Sequence, residues 1–191
     1  MHIDLMRDLN SRFPPPGNPS EVHSLRIWHC KYKTLMPIAE LTNLRELVVG
    51  SFPDASLNML AGLTQLCYLR ILHLPKVSDL TPLGGLKNIR SLSLATSPSW
   101  DAAGKKTFVD SLAPIALIEA LMHLELFGVC PPDMSLAPLE RCKNLRSARF
   151  SQYPKNEAER FYQVMGISNA FNPPPSFPEL PTLRAQGANW S

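Results

Sequence analysis

Few side chains in this sequence have the types and spacing to do chemistry. His123 and Glu125 stand two residues apart, which in an extended strand puts both on one face. An imidazole beside a carboxylate is how a general base is oriented. His73 lies in a flanking column of the same pattern. His29 and Cys30 are adjacent, so in an extended run they point to opposite faces and make no thiol–imidazole pair. Of the four cysteines, Cys30, Cys67, Cys130 and Cys142, none forms a CxxC pair, and Cys130 and Cys142 lack ligand spacing. There is no GxSxG elbow, no HExxH and no phosphate-cradling glycine loop. A hydrolase or transferase using His123 and Glu125 would stand on an open sheet without a nucleophile or a means of excluding water. The residues therefore point away from an enzyme, and to no cofactor and no metal.

Composition narrows the class further. The chain has 191 residues, enough for one substantial core, and is 45% hydrophobic and 18% charged, as globular chains are. The net charge of +3 comes from scattered basic residues, without the Lys/Arg stripe that nucleic acid requires. The opening MHIDLMRDLNSRF has no apolar run of signal-peptide length, and no window approaches the ~18 apolar residues of a membrane span. The expectation is a soluble, cytoplasmic protein that is monomeric when free, with reduced, buried thiols.

The elements that must position any site come from repetition. Leu-x-Pro-[Leu/Ile] occurs as LMPI from Leu35, LTPL from Leu80, LAPI from Leu112 and LAPL from Leu136. A second pattern, apolar-xx-apolar-x-apolar, runs through Val22/Leu25/Ile27, Leu44/Leu47/Val49, Leu69/Leu72/Leu74, Ile89/Leu92/Leu94 and Leu121/Leu124/Leu126, with a weaker copy at Leu145/Ala148/Phe150. Each copy ends with period-two alternation, the sign of a short strand. On this framing the third unit is shorter than its neighbours and the fourth is longer. A unit of this size cannot bury its own leucines, but stacked units can, as a solenoid with a parallel sheet. Proline suits the return stretch, where no ladder hydrogen bond is needed.

The segments VHSLRIWHCKYKTLMPIAELTN (Val22–Asn43) and VSDLTPLGGLKNI (Val77–Ile89) resemble the leucine-rich-repeat (LRR) family, most closely the short bacterial repeat of internalins. The resemblance covers roughly residues 22–153. The position that family usually gives to asparagine holds Cys30, Phe52 and Ser97 instead, so that asparagine ladder is incomplete. The implied fold class is α/β: an LRR solenoid with short parallel strands on its concave face and a C-terminal capping helix.

The expected organisation is an N-terminal cap segment over 1–21, about six repeats over 22–153, a capping helix within 154–171 and a Pro-rich tail over 172–191. Ala158, Phe161, Tyr162 and Met165 fall at helical spacing and form the cap's apolar stripe. The tail reads as extended or disordered, with Phe177, Leu180 and Trp190 able to pack back.

Solenoids of this kind offer a broad concave face, and the residues between the leucines define its surface. Trp28 and Phe127 are aromatics expected to face solvent, with Arg26 and Arg149 one step away, the residue types that anchor protein interfaces. His29, Glu46, His73, Lys76, Ser93, His123 and Glu125 complete the expected face. The insertion TSPSWDAAGKKT contributes Trp100, Asp101, Lys105 and Lys106 as a second candidate surface. The expected function is a protein-binding module, an inhibitor such as an immunity protein that neutralises a toxin or effector. The alternative is a scaffold or regulatory subunit of an endogenous enzyme.

Overall fold

The computed structural model describes residues 1–176 and the backbone of 182–184. Each repeat contributes one five-residue strand: β1 (His2–Met6), β2 (Ser24–Trp28), β3 (Glu46–Gly50), β4 (Tyr68–Leu72) and β5 (Ser91–Ala95). The insertion follows as α1 (Pro98–Ala102) and β6 (Thr107–Phe108), then β7 (His123–Phe127), β8 (Val129–Cys130) and β9 (Ser147–Ser151). The chain closes with α2 (Lys155–Met165), β10 (Ser168–Asn169) and β11 (Thr182–Arg184). All pairings are parallel, in a nine-stranded sheet ordered β10-β9-β7-β5-β4-β3-β2-β1-β11, with β6 and β8 as a separate pair.

From β2 onward the returns between strands are short 3₁₀ turns at Met36–Glu40, Asn58–Leu60, Thr81–Gly85, Ile115–Leu117 and Ala137–Arg141. Their sequence explains them. Three carry proline in the first two positions, where the missing N–H has no partner to lose. Thr34, Ser56, Asp79, Ser111 and Ser135 each accept, through a side-chain oxygen, the backbone N–H two residues on. Three residues per turn brings the leucine before the proline and the apolar residue after it to one side. Leu35 with Ile38, Leu80 with Leu83 and Leu136 with Leu139 are accordingly all buried. The asparagine ladder exists, at a different place from the expected one. The side-chain amides of Asn43, Asn88 and Asn144 donate to Ser20, Thr64 and Glu119 carbonyls of the preceding coil.

Two expectations need correction. In the third repeat Leu47 pairs with Leu69 and Val49 with Ile71, so the core frame is Leu66/Leu69/Ile71 rather than Leu69/Leu72/Leu74. The strand must keep its neighbours' register for the sheet to close, and that constraint overrides the nearer leucine triplet. Residues 1–21, expected as a cap, instead carry a further rung. β1 pairs residue for residue with β2, and Ile3 and Leu5 enter the leucine column.

The far end is closed by α2. Phe161 is fully buried against Phe150, with ring centroids 5.3 Å apart. Glu157 accepts the N–H of Leu136, and Arg160 joins Glu157 to Glu140, tying the helix to the last 3₁₀ turn. Gly166 ends it in the left-handed conformation, φ 62°.

Candidate protein-binding face

Strand register sets which residues look away from the leucine core. Nearest the strand starts run His2, Ser24, Glu46, Tyr68, Ser91, His123 and Ser147. The middle row is Asp4, Arg26, Val48, Arg70, Ser93, Glu125 and Arg149. The last row is Met6, Trp28, Gly50, Leu72, Ala95, Phe127 and Ser151. The sequence reading placed His73 and Lys76 here. Ile71 is core, and Tyr68, Arg70 and Leu72 hold those places. His73 and Lys76 therefore leave the strand face. His73 follows β4 in a left-handed turn, and the Lys76 ammonium donates to the Pro53 carbonyl.

The residue after each five-residue strand other than β5 forms a row of its own. Arg7, His29, Ser51, His73, Gly128 and Gln152 all have φ between 51° and 69°. The chain leaves the sheet tightly in this conformation, which side chains other than glycine adopt at a cost. His29 is exposed here, with Nδ1 2.9 Å from Ser51 Oγ.

On the β7–β9 part of the face the polar groups are paired. Glu125, only 2% exposed, accepts from Ser93 Oγ at 2.7 Å and from Arg149. The same guanidinium lies over the Phe127 ring, 4.8 Å from its centroid. His123 Nδ1 is 2.8 Å from Ser147 Oγ. Glu125 is thus committed to Arg149 and does not orient His123, which removes the dyad the sequence allowed. Burial holds the His123 imidazole below its usual value, and Arg146 adds to this.

The β1–β4 part is different. Asp4 binds Arg26, and Ser24 Oγ joins His2 to Glu46. The Trp28 indole lies across β3 because residue 50 is glycine: a Cβ there would sit 2.8 Å from Trp28 Cε3. Trp28 also walls a cavity of about 210 Å³, shared with Met6, Arg26, Val48, Tyr68, Arg70 and Pro175. Burial pushes the Tyr68 phenol up, with the Arg70 charge pulling it partly back.

Part of the tail passes over this face. Ser176 donates its N–H and its hydroxyl to Glu46 Oε1, at 2.9 and 2.6 Å. Beyond it, β11 pairs with β1. Phe177, Leu180 and Trp190 lie outside the described residues.

The insertion forms one rim. Trp100 packs edge-on against His73 at 5.1 Å, and the Lys105 ammonium sits 5.9 Å from the Trp100 ring centre. Asp101 is used internally, accepting from Ser151 Oγ at 2.6 Å and, through its carbonyl, from Gln152 at 2.9 Å. Lys105 is exposed and Lys106 half-buried. All four cysteines are free; burial pushes Cys130 and Cys142 up to about 11. Among the described residues no group of three His, Cys, Asp or Glu is placed to hold a metal ion, and no helix is long and apolar enough to cross a membrane.

An internalin (inlF) from Listeria monocytogenes superposes with a TM-score of 0.58 at 20% identity, over 84% of this chain and 50% of that one. The fold is a leucine-rich-repeat solenoid. The LRR chain thus spans half the length of that internalin. Internalin C2 of the same organism (TM-score 0.46, 22% identity, 69% of this chain and 62% of that one) matches more weakly. So does an LRR protein of Leptospira interrogans (TM-score 0.44, 18% identity, 80% and 43%). No family model matches the LRR sequence, and no curated protein does either.

Tyr68 and Arg70 are the residues sequence reasoning missed. The signal was present: the constant step from Leu25 to Leu47 leads to Leu69 as the middle leucine and leaves Tyr68 and Arg70 facing outward.

Proposed function

We propose that this LRR solenoid is a non-enzymatic protein-binding module that holds one partner protein on its concave face and neutralises it, as an immunity protein does a toxin or effector. The observation that carries the binding reading is the Phe127–Arg149 pair. Its guanidinium is fixed by a buried carboxylate and stacked on an aromatic ring before any partner arrives, so little rotamer freedom remains to be lost on association. Four free thiols suit a cytoplasmic setting.

The test compares capture of protein by the wild-type chain with capture by the triple variant Trp28→Ala, Phe127→Ala, Arg149→Glu, followed by an activity assay of the captured partner. A one-to-one partner that the triple variant loses, and whose activity disappears in the complex, supports the inhibitor. A partner that stays active in the complex makes the chain a scaffold. A partner retained by the triple variant moves the site off the concave face.

A further inference from the structure

We propose that the cavity at Tyr68 and Arg70 receives an aspartate or glutamate side chain of the partner protein. This deepens the concave-face reading and rests on it. β4 is the central strand of the nine, and Tyr68 and Arg70, two residues apart, look out from the same side of it. Tyr68 is 5% exposed, yet among the described residues neither its hydroxyl nor the buried Nε of Arg70 has a hydrogen-bond partner of good geometry, beyond the approach of the Arg70 side chain to the phenol itself. Buried donors are normally satisfied, so two orphans side by side next to an open cavity need a physical reason.

The other charged groups of this face already have partners. Arg26 binds Asp4, Arg149 binds Glu125, and Glu46 accepts from Ser24 and Ser176. Arg70 is the guanidinium in the middle row without a carboxylate among the described residues. The two orphan donors match the two oxygens of one carboxylate, and a charge-assisted contact there satisfies both at once. Tyr68 stays protonated as a donor because burial disfavours the phenolate.

The surroundings select the ligand. Met6, Val48 and the Trp28 indole give apolar walls for a methylene stem. At about 210 Å³ the cavity is below the ~300–1,000 Å³ typical of small-molecule sites, which fits a single side chain. Glu46 stands on the neighbouring strand β3, so a phosphate dianion brings twice the unfavourable charge that a carboxylate does. A chain terminus would also present its last N–H, and Glu46, opposite Tyr68 in the sheet, is already taken by Ser176.

The experiment follows the Arg70 Nε–H resonance in the full chain, labelled with ¹⁵N-arginine and assigned by its loss in Arg70→Lys. The added compounds are N-acetyl-glutamate methylamide, its glutamine counterpart, N-acetylglycine and inorganic phosphate. The expected result is a saturable shift with the glutamate compound alone, weakened roughly tenfold or more in Tyr68→Phe by loss of a hydrogen bond to a charged group. No shift, or an equal shift with the glutamine compound, overturns the proposal. A stronger response to N-acetylglycine or phosphate overturns the side-chain assignment in favour of a chain terminus or an inorganic anion. Saturable glutamate binding with no partner captured leaves the cavity standing while the concave-face reading falls. A captured partner without glutamate binding does the reverse.

Discussion

The two halves of the concave face are built from the same repeat and finish their polar groups in opposite ways. Around β7 and β9, Glu125 gathers Ser93 and Arg149, and Arg149 covers Phe127. Around β3 and β4, Tyr68 and Arg70 keep buried donors without a well-aligned partner among the described residues, and the neighbouring large side chain, Trp28, leans on a glycine. The solenoid frame therefore decides where a side chain points but not whether its hydrogen bonds close. That second property is set rung by rung, by which residue stands opposite. Val48 and Ser93 flank Arg70, and neither offers it a charge. One half is organised for its own stability as well as for contact. The other is left to be completed from outside.

Four measurements break or sharpen this contrast. Glu125→Ala has the largest expected effect, because it deprives Arg149 and Ser93 of a buried acceptor; partial exposure of the arginine limits the loss to about 2–3 kcal/mol in denaturant unfolding. Gly50→Ala is next, at about 1–2 kcal/mol, since the new methyl meets the Trp28 ring and drives it off β3. Tryptophan emission should shift with it. Arg70→Gln, the substitution that would be costly in a completed network, is expected to change stability by no more than about 0.5 kcal/mol. A loss as large as that of Glu125→Ala would end the distinction between the halves.

The smallest effect is on pH dependence. Burial is the leading cause that lowers the His2 and His123 imidazoles below 6.5, with Asp4 opposing it at His2. Below that value the unfolded chain binds more protons than the folded one. Stability is therefore complete above about pH 6.5 and falls as the pH drops through the window beneath it. His2, 4% exposed, lies deeper than His123. His2→Gln should flatten the curve between pH 7.5 and 5.5 more than His123→Gln does.

The frame of the molecule was legible because leucine spacing is a long-range signal repeated many times. The 3₁₀ turns carried their own marks in the Leu-x-Pro tetrapeptides, and the α2 stripe in Ala158, Phe161, Tyr162 and Met165. The third repeat misled because Leu66, Leu69, Ile71, Leu72 and Leu74 satisfy two frames, and only pairing with β3 chooses between them. That single shift hid Tyr68 and Arg70 and promoted His73 and Lys76. β1 was missed because Ile3 and Leu5 give only one alternation, too little to separate a rung from a cap. The role of Asp101 was not readable either, since its partners, Ser151 and Gln152, are about fifty residues away in sequence and meet it only across the coil.

The outermost strands of the sheet carry a further consequence. β10 and β11, two and three residues long, come from the same closing stretch of chain and lie at opposite borders of the sheet. Five-residue strands such as β1 and β9 are the kind of border on which a second copy can dock and extend a ribbon indefinitely. Here each is covered by a stub too short to continue the ladder. The first residues of both border strands thus find their ladder partner within the chain itself.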